Sequence, residues 1–340
     1  MNNAERRERE RPRSTGDAGL GLPRPVWSAF GLAASVAVIL ILVAYRGGNV
    51  EGASSSPWEV LPESDPVMDV RLPMEVNERV ERWVQRFLTT RRHEFETFLV
   101  REGLYGGMIR EQLRARGMPE ELLYLAMIES GFSPFATSRV AASGVWQFMG
   151  PTARAYGLTV DAWVDERRDP IRATDAALDY LEELHERFGS WYLAAAAYNA
   201  GPGRVSGVLR RHGLGEGGDE DLYWKIIEDL PPETRDYVPK ILAAALLAEQ
   251  AEHFGFDVER SLPYLFDRVL LPGGTPLAEV AQVLDVSPSL LRQMNPHLIR
   301  GVTPPGRSYM VRVPPGESTR VVAALADVRP RSAASLGIED

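Results

Sequence analysis

Cysteine is absent from this chain of 340 residues. Its absence excludes disulfide bridges, thiolate metal sites and a cysteine nucleophile. It also excludes a lipid anchor on an N-terminal cysteine, so any membrane attachment has to come from a protein segment. A chain without cysteine is compatible with a reducing or an oxidising compartment, and the argument for export therefore rests on other features.

Lysine is scarce, because only Lys225 and Lys240 stand among the 38 basic residues. The 47 acidic residues give the chain a net charge of -9. Nucleic-acid binding depends on basic surface, so this balance argues against a nucleic-acid partner. The 5 histidines show no metal-ligand spacing, and neither a phosphate-binding glycine loop nor a Ser-His-Asp signature occurs. The sequence predicts no metal and no cofactor.

Residues 26–45 form a run without a single charged side chain. At about 1.5 Å per residue, this run is long enough to cross a hydrocarbon core of about 30 Å. Arginines are frequent just before it, and the positive-inside tendency places residues 1–25 in the cytoplasm. We therefore expect a cytoplasmic tail over 1–25, a transmembrane anchor in the inner membrane over 26–45, and the remainder in the periplasm. A cleaved signal peptide is the alternative, although the run is long for that role.

The chain beyond the anchor changes in composition. Residues 46–73 are rich in glycine, serine and proline, which predicts a linker. From 74 to 255, apolar residues recur at spacings of three and four, which predicts a mainly α domain. The first stripe of this kind consists of Val76, Val80, Trp83, Val84 and Phe87.

The pattern after this domain is different. Residues 262–316 predict a strand, two short helices and a second strand. Thr275 and Ser287 are the expected N-caps of the two helices, since each is followed by proline. Residues 317–340 form a tail rich in alanine and arginine without a recognisable core, and we expect poor order at its end.

A carboxylate ends the most apolar helical stretch of the sequence. Glu129 closes the segment PEELLYLAMIE, and small residues follow it as far as Gly144. An apolar environment disfavours the charged form of a carboxyl group and raises its pKa, which suits a general acid. Small residues allow a bulky ligand to approach the backbone. The residues alone leave open whether Glu129 is catalytic or makes a structural hydrogen bond.

Four separated motifs occur in a fixed order in this region. They are Glu129-Ser130-Gly131-Phe132, Ala136-Thr137-Ser138, Gly144-Val145-Trp146-Gln147-Phe148-Met149 and Ala197-Tyr198-Asn199-Ala200-Gly201, and Glu233-Thr234-Arg235-Asp236-Tyr237-Val238 follows. This ordered set resembles the catalytic domain of the soluble-lytic-transglycosylase (SLT) family. Within that family, it is most similar to the membrane-bound lytic transglycosylase D type.

The resemblance implies a lysozyme-like, mostly helical fold and a single catalytic glutamate, which maps to Glu129. In that family the glutamate protonates the glycosidic oxygen between N-acetylmuramic acid and N-acetylglucosamine of peptidoglycan. The N-acetyl group of the substrate stabilises the positive charge at the anomeric carbon. The glutamate then takes a proton from the C6 hydroxyl, and a 1,6-anhydro ring closes without water. This carbon–oxygen lyase reaction lies outside the two-carboxylate scheme of most glycosidases.

The same resemblance assigns substrate binding to five further residues: Ser130, Gln147, Tyr198, Asn199 and Tyr237. Tyr237 is in addition a candidate for orienting Glu129. Trp146 and Phe148 are better interpreted as core residues. One position departs from the family, since Ala141 stands where glycine is common, and its methyl group is expected to reshape that turn slightly.

The segment 264–315, within the predicted domain 262–316, resembles a lysin-motif (LysM) domain, a module that grips N-acetylglucosamine glycans. The match includes Leu271-Pro272-Gly273-Gly274-Thr275 and Asn295-Pro296, and Gly274 replaces the usual aspartate. Glycan contacts would come from the loop 273–277 and from the segment near Asn295. The alternative is a structural appendage that no longer binds glycan.

Three functions remain for comparison. The motifs favour an exported lytic transglycosylase that acts on peptidoglycan strands. A hydrolytic muramidase would share the fold but add water to the product. A catalytically silent peptidoglycan-binding scaffold would not require the intact Glu129-Ser130 and Tyr198-Asn199 pairs.

Overall fold

A computed structural model describes residues 70–215 and 217–325. The predicted cytoplasmic tail, the predicted anchor and nearly all of the predicted linker lie outside these residues, as does the end of the predicted tail, 326–340. Among the helices that are described, none combines the length and the hydropathy that a membrane span requires.

The first part of the described chain is helical, as predicted. Its α-helices are α1 (Glu78–Leu88), α2 (Arg92–Ala115), α3 (Leu123–Ser130), α4 (Gly150–Ala155), α5 (Pro170–Phe188), α6 (Trp191–Ala200), α7 (Pro202–Arg211), α8 (Asp221–Ile226) and α9 (Pro232–Glu249). Short 3-10 turns lie at Glu120–Leu122, Glu166–Arg168 and Ile227–Asp229.

Local sequence explains where these helices begin and end. The Asn77 side chain caps α1 by accepting from the backbone N–H groups of Arg79 and Val80. Asp169 caps α5 in the same way, with Pro170 in the first turn, and Gly189 ends α5 in the left-handed conformation at φ 65°. Val80, Trp83 and Phe87 of the predicted stripe are buried and Val84 is half-buried. Val76 was wrongly included, because it lies before α1 and is exposed.

Helix α9 lies at the centre of the helical domain, packed against α1, α3 and α6. The facing surfaces of α6 and α9 are rich in alanine, and the four alanines 194–197 are all buried. Small side chains let these helices approach one another closely. This packing brings the C-terminal end of α3 beside α6 and α9, where the candidate site lies.

The second part forms the predicted strand–helix–helix–strand unit. Strand β1 (Asp267–Leu271) pairs with the antiparallel strand β2 (Tyr309–Val313), and helices α10 (Leu277–Leu284) and α11 (Pro288–Met294) lie between them in sequence. The prediction of Ser287 as an N-cap is confirmed, because its hydroxyl accepts from Leu290 N at 3.2 Å. The prediction of Thr275 as an N-cap was wrong, because its hydroxyl donates to the carbonyl of Pro272 at 2.8 Å and Pro276 holds the cap position.

The start of the predicted tail contributes to the core of the second part, where the sequence showed no recognisable core. Residues 318–325 form a helix, and Val321 is fully buried in the core of the second part. Val321 stands beside Val322 in an alanine- and arginine-rich segment, where no apolar period marked it as a core residue. Its burial depends on a surface that only the folded βααβ unit provides.

The two parts are joined by a buried ion pair. Arg312 on β2 donates from Nη2 to both carboxylate oxygens of Asp169, at 2.7 and 2.6 Å. Backbone bonds flank the pair: the amide of Asp165 donates to the carbonyl of His297 at 2.9 Å, and Ile299 donates to Trp163 at 3.2 Å. Asp169 therefore caps α5 and holds the second part of the protein at the same time.

Candidate active site

Glu129 stands one residue before the end of α3. Gly131 then turns the chain at φ 57°, and an added Cβ at this position would overlap the ring of Phe98. Phe132 continues the left-handed turn at φ 58° with a fully buried ring. The turn directs the chain away from α3, and Glu129 as a residue is half-buried at the end of this helix, whose residues Leu123–Met127 are buried.

Tyr237 on α9 is the direct partner of this carboxyl group. Its hydroxyl donates to Oε1 of Glu129 at 2.6 Å, and its side chain is only 3% exposed. Oε2 of Glu129 has no hydrogen-bond partner among the described residues, which leaves it available to a ligand. One oxygen is thus held by the protein, while the other is free for proton transfer.

Burial dominates the titration of Glu129 and raises its pKa to about 7. The hydrogen bond from Tyr237 opposes this effect, the charge of Glu233 adds to it, and the charge of Lys240 opposes it. Burial and the nearby Glu129 charge raise the pKa of Tyr237 well above its usual range, so the phenol stays protonated and acts as a donor. Glu129 can therefore hold or release a proton near neutral pH.

Tyr198 and Asn199, at the end of α6, are held from two sides. The hydroxyl of Tyr198 donates to the carbonyl of Trp146 at 2.7 Å. Oδ1 of Asn199 accepts from the hydroxyl of Thr234 on α9 at 2.7 Å. Burial and the charge of Glu129 raise the pKa of Tyr198 well above its usual range, which places this ring in the electrostatic environment of the carboxyl group.

Ser130 does not bond Glu129. Its hydroxyl donates to the carbonyl of Val145 at 2.7 Å and accepts from the amide of Ser133 at 3.1 Å. Ser130 therefore ties the end of α3 to the loop that carries Gln147. This contact gives Ser130 a structural task beside the sugar contact that the resemblance implies.

Gln147 sits in a left-handed conformation at φ 50°. Its Nε2 donates to the carbonyls of Gly144 at 2.9 Å and of Ala136 at 3.2 Å. These bonds orient the partly exposed side chain. The neighbours Trp146 and Phe148 are buried, as expected, and Trp146 Nε1 donates to the hydroxyl of Thr174 at 2.9 Å.

Two residues of this environment, Thr234 and Lys240, were not among the predicted site residues. Thr234 is buried and holds Asn199, and the Lys240 ammonium lies 4.6 Å from the centre of the Trp83 ring. Burial lowers the pKa of Lys240, and its charge acts on Glu129. Thr234 and Lys240 each lie three positions from Tyr237 on α9. Their closeness in sequence to this predicted site residue was the signal that could have identified them. Within the described residues, no group of three or more His, Asp or Glu could hold a metal ion.

Comparisons with known proteins agree with the two-part architecture. Residues 107–217 match the family described as the transglycosylase SLT domain. Residues 265–330 match the family described as the lytic transglycosylase MltD, LysM-like domain. The chain therefore contains an SLT domain. It carries behind this domain the LysM-like domain of the MltD type, and the resemblance seen in the sequence is confirmed.

Two relatives of the chain are named as lytic murein transglycosylases. The membrane-bound lytic murein transglycosylase D of Escherichia coli (strain K12) is 34% identical over 233 residues, which are 67% of this chain and 50% of that protein. The soluble lytic murein transglycosylase of the same organism is 30% identical over 146 residues, or 41% of this chain and 22% of that protein. The match thus spans half the length of the first relative and less than a quarter of the second.

Among solved structures, the 70-kDa soluble lytic transglycosylase of Escherichia coli is 27% identical, with a TM-score of 0.36. The superposition covers 43% of this chain and 24% of that chain.

Proposed function

We propose that this protein is a peptidoglycan lytic transglycosylase with Glu129 as its general acid and then its general base. The observation that carries the proposal is the state of the Glu129 carboxyl group: Tyr237 holds one oxygen, the other has no partner within 70–215 and 217–325, and burial raises the pKa to about 7. The SLT family match over residues 107–217 supports the same assignment.

The proposed reaction needs one carboxyl group. Protonated Glu129 donates its proton to the oxygen of the β-1,4 bond between N-acetylmuramic acid and N-acetylglucosamine, and that bond to the anomeric carbon breaks. The N-acetyl group of the substrate stabilises the positive charge at this carbon. The Glu129 carboxylate then removes the proton of the C6 hydroxyl, whose oxygen bonds to the anomeric carbon. The proton returns to Glu129, and no water is consumed.

The pKa of Glu129 suits both steps. A general acid is most effective when its pKa lies near the working pH, and the same condition lets the conjugate base recover a proton afterwards. Tyr237 stays protonated and donates to Oε1, so it holds the carboxyl group in one orientation while Oε2 exchanges the proton. We assign substrate contacts to four partly exposed residues. Ser130 adjoins Glu129 and bonds the loop that carries Gln147, and Tyr198 and Asn199 lie at the end of α6.

The decisive experiment is a digest of purified sacculi with the full chain in detergent, beside the E129Q variant, analysed by mass spectrometry. We expect muropeptides that end in 1,6-anhydro-muramic acid. In E129Q, which lacks the general acid, the rate of their release should fall by about 10²- to 10⁴-fold. Products with one added water would make the protein a hydrolytic muramidase. Sacculus binding without any product would make it a scaffold.

We further propose that residues 26–45 anchor the protein in the inner membrane as a single span, with the catalytic part in the periplasm. The uncharged run and the arginines before it support this topology. Protease added to spheroplasts should digest the folded part and spare the N-terminal tail. Release of the folded part into the soluble periplasmic fraction would instead indicate a cleaved signal peptide.

A further inference from the structure

A cavity of about 370 Å³ lies where the two parts of the protein meet. Its walls come from the start of α5 and the turn before it on one side, and from the outer face of the β1–β2 sheet on the other. Because side chains alternate along a strand, Arg268, Leu270, Met310 and Arg312 share this outer face, while Val269 and Val311 fill the core behind it. The cavity therefore belongs to neither part alone.

Positive charge dominates the walls. Four arginines line the cavity against two carboxylates: Arg172, Arg268, Arg307, Arg312, Glu166 and Asp169. Both carboxylates have partners, since Asp169 binds Arg312 and the Glu166 side chain accepts from the amide of Thr159 at 2.6 Å. Among the described residues, no carboxylate lies within 4.0 Å of Arg268 or Arg307, and both arginines are exposed. The cavity is positively charged although the chain as a whole carries a net charge of -9, so its charge requires an explanation.

A buried histidine forms part of the same wall. His297 lines the cavity and is only 3% exposed, and its Nδ1 has no hydrogen-bond partner in the described part of the chain. The nearest acid is Asp169, whose Oδ2 lies 3.5 Å from this nitrogen. The Nδ1 atom is thus enclosed beside Asp169, so His297 forms part of the cavity wall, and the exposed Arg268 and Arg307 carry the charge that a ligand in the cavity would meet.

The sheet adds an apolar strip to the charged walls. Leu270 and Met310 face each other across the two strands, and they are 61% and 46% exposed. Large apolar side chains that stay exposed beside arginines suit a ligand with both methyl and carboxylate groups. A peptide of alanine and diacid residues has this chemistry, and the stem peptide of peptidoglycan is built from such residues.

We propose that this cavity, lined by Arg268, Arg307 and His297, binds a carboxylate of the peptidoglycan stem peptide, with the peptide methyl groups against Leu270 and Met310. The inference rests on the proposed function, since it takes the substrate class from that assignment. Guanidinium groups bind carboxylates through paired, charge-assisted hydrogen bonds. The LysM-like part would then recognise peptide at its junction with the catalytic part, in addition to any contact with glycan.

The test compares two ligands that the proposed reaction cannot cleave, because both lack a bond from muramic acid to a following sugar. They are the disaccharide of N-acetylglucosamine and N-acetylmuramic acid with and without its tetrapeptide, titrated calorimetrically into the full chain in detergent. We expect the peptide-bearing disaccharide to bind more tightly, and R268Q/R307Q to weaken only that ligand, by about tenfold at low salt. The matched control is R292Q, an exposed arginine of the same domain outside the cavity.

Three outcomes would overturn the inference. The first is an unchanged preference for the peptide-bearing disaccharide in R268Q/R307Q. The second is equal binding of inorganic phosphate, with no advantage of the peptide, which would indicate a general anion site. The third is binding to anionic phospholipid vesicles that R268Q/R307Q abolishes while muropeptide binding is retained, which would assign the arginines to the membrane surface.

The proposed function is tested separately on the same preparations. Release of 1,6-anhydro ends from glycan strands stripped of peptide depends on Glu129 and not on the junction cavity. R268Q/R307Q should retain this activity, so a failed binding test leaves the transglycosylase assignment intact. Absence of anhydro products from the unmodified protein would remove that assignment, whatever the titration shows.

Discussion

Tyr237 donates a hydrogen bond of 2.6 Å to Oε1 of Glu129 across 108 positions of the chain. The bond favours the charged carboxylate, whereas burial of the same group favours the neutral acid and has the larger effect. The balance leaves the pKa of Glu129 at about 7. Tyr237 therefore acts on both the orientation and the protonation of the candidate catalytic group.

Removal of this hydroxyl should shift the pH dependence of activity. The Y237F variant loses a bond that stabilises the carboxylate, so the pKa of Glu129 should rise. Because the acid form is needed for the first step, the alkaline limb of the kcat/KM profile should move upward by about one pH unit. The profile is measured by release of anhydro-muropeptides between about pH 5 and pH 10. A profile that only drops in height would limit Tyr237 to orientation.

Glu129 should also make stability depend on pH. Its folded-state pKa of about 7 exceeds the ordinary 4.5, so its neutral form supports the fold at low pH, and this contribution is lost as the pH rises through 7. E129Q removes the charge in the folded state. We expect E129Q to be more stable than the unmodified protein by about 2 kcal/mol near pH 8.5 and equally stable near pH 4, in urea unfolding.

The exposed Glu186 provides the matched control for that measurement. E186Q should show the same small difference from the unmodified protein at both pH values. An E129Q stability difference that does not change with pH would contradict the raised pKa.

Substitution of one partner of the buried pair of Asp169 and Arg312 should lower the free energy of unfolding strongly. Burial disfavours the Asp169 carboxylate, but the charges of Arg312 and His297 hold the pKa of Asp169 below its usual range. R312M leaves this carboxylate buried without its guanidinium partner, and we expect a loss of about 3–5 kcal/mol in the free energy of unfolding. D169N/R312M should recover much of the loss, because no unpaired charge remains. Denaturant unfolding of both single variants and the double variant completes the cycle.

The pH dependence of this pair has the opposite sign to that of Glu129. A lowered folded-state pKa means that Asp169 stabilises the fold above its ordinary range, and this contribution disappears as the pH falls through the folded-state value. R312M should therefore lose more stability at neutral pH than in acid. An equal loss at both pH values would assign the effect to packing.

Ala141 is strained, and glycine should relieve the strain. Its φ of 63° lies in the left-handed region, which disfavours residues with a Cβ by about 1–2 kcal/mol. Glycine also gains freedom in the unfolded chain, which offsets about 0.4–1 kcal/mol of this benefit. We expect A141G to raise the unfolding free energy by about 0.5 kcal/mol. The neighbouring Ala142 has no positive φ and is buried, so A142G should destabilise the protein.

The helices and the βααβ order could be predicted from sequence, because spacing, caps and glycine stops act within a few residues. Thr275 was misassigned because its local environment matches a cap, while the folded loop gives its hydroxyl a closer acceptor in Pro272. The role of Val321 was missed because its partners in the second core lie far away along the chain. The Val321 error involves a distant contact, whereas Thr275 bonds a carbonyl only three residues before it, in a loop that Thr303 holds by accepting from the Thr275 amide.

The candidate site divides in the same way. Glu129 was identifiable as a carboxylate at the end of an apolar helix, and the motif order supplied Ser130, Gln147, Tyr198, Asn199 and Tyr237. The sequence by itself therefore determined the helical pattern, the two-part organisation and the position of the acid. Only the tertiary structure decided which oxygen of Glu129 is held, that Thr234 supports Asn199, and that a cationic cavity forms where Asp169 meets Arg312. These features join residues on different elements, and their energies depend on burial, which no local spacing encodes.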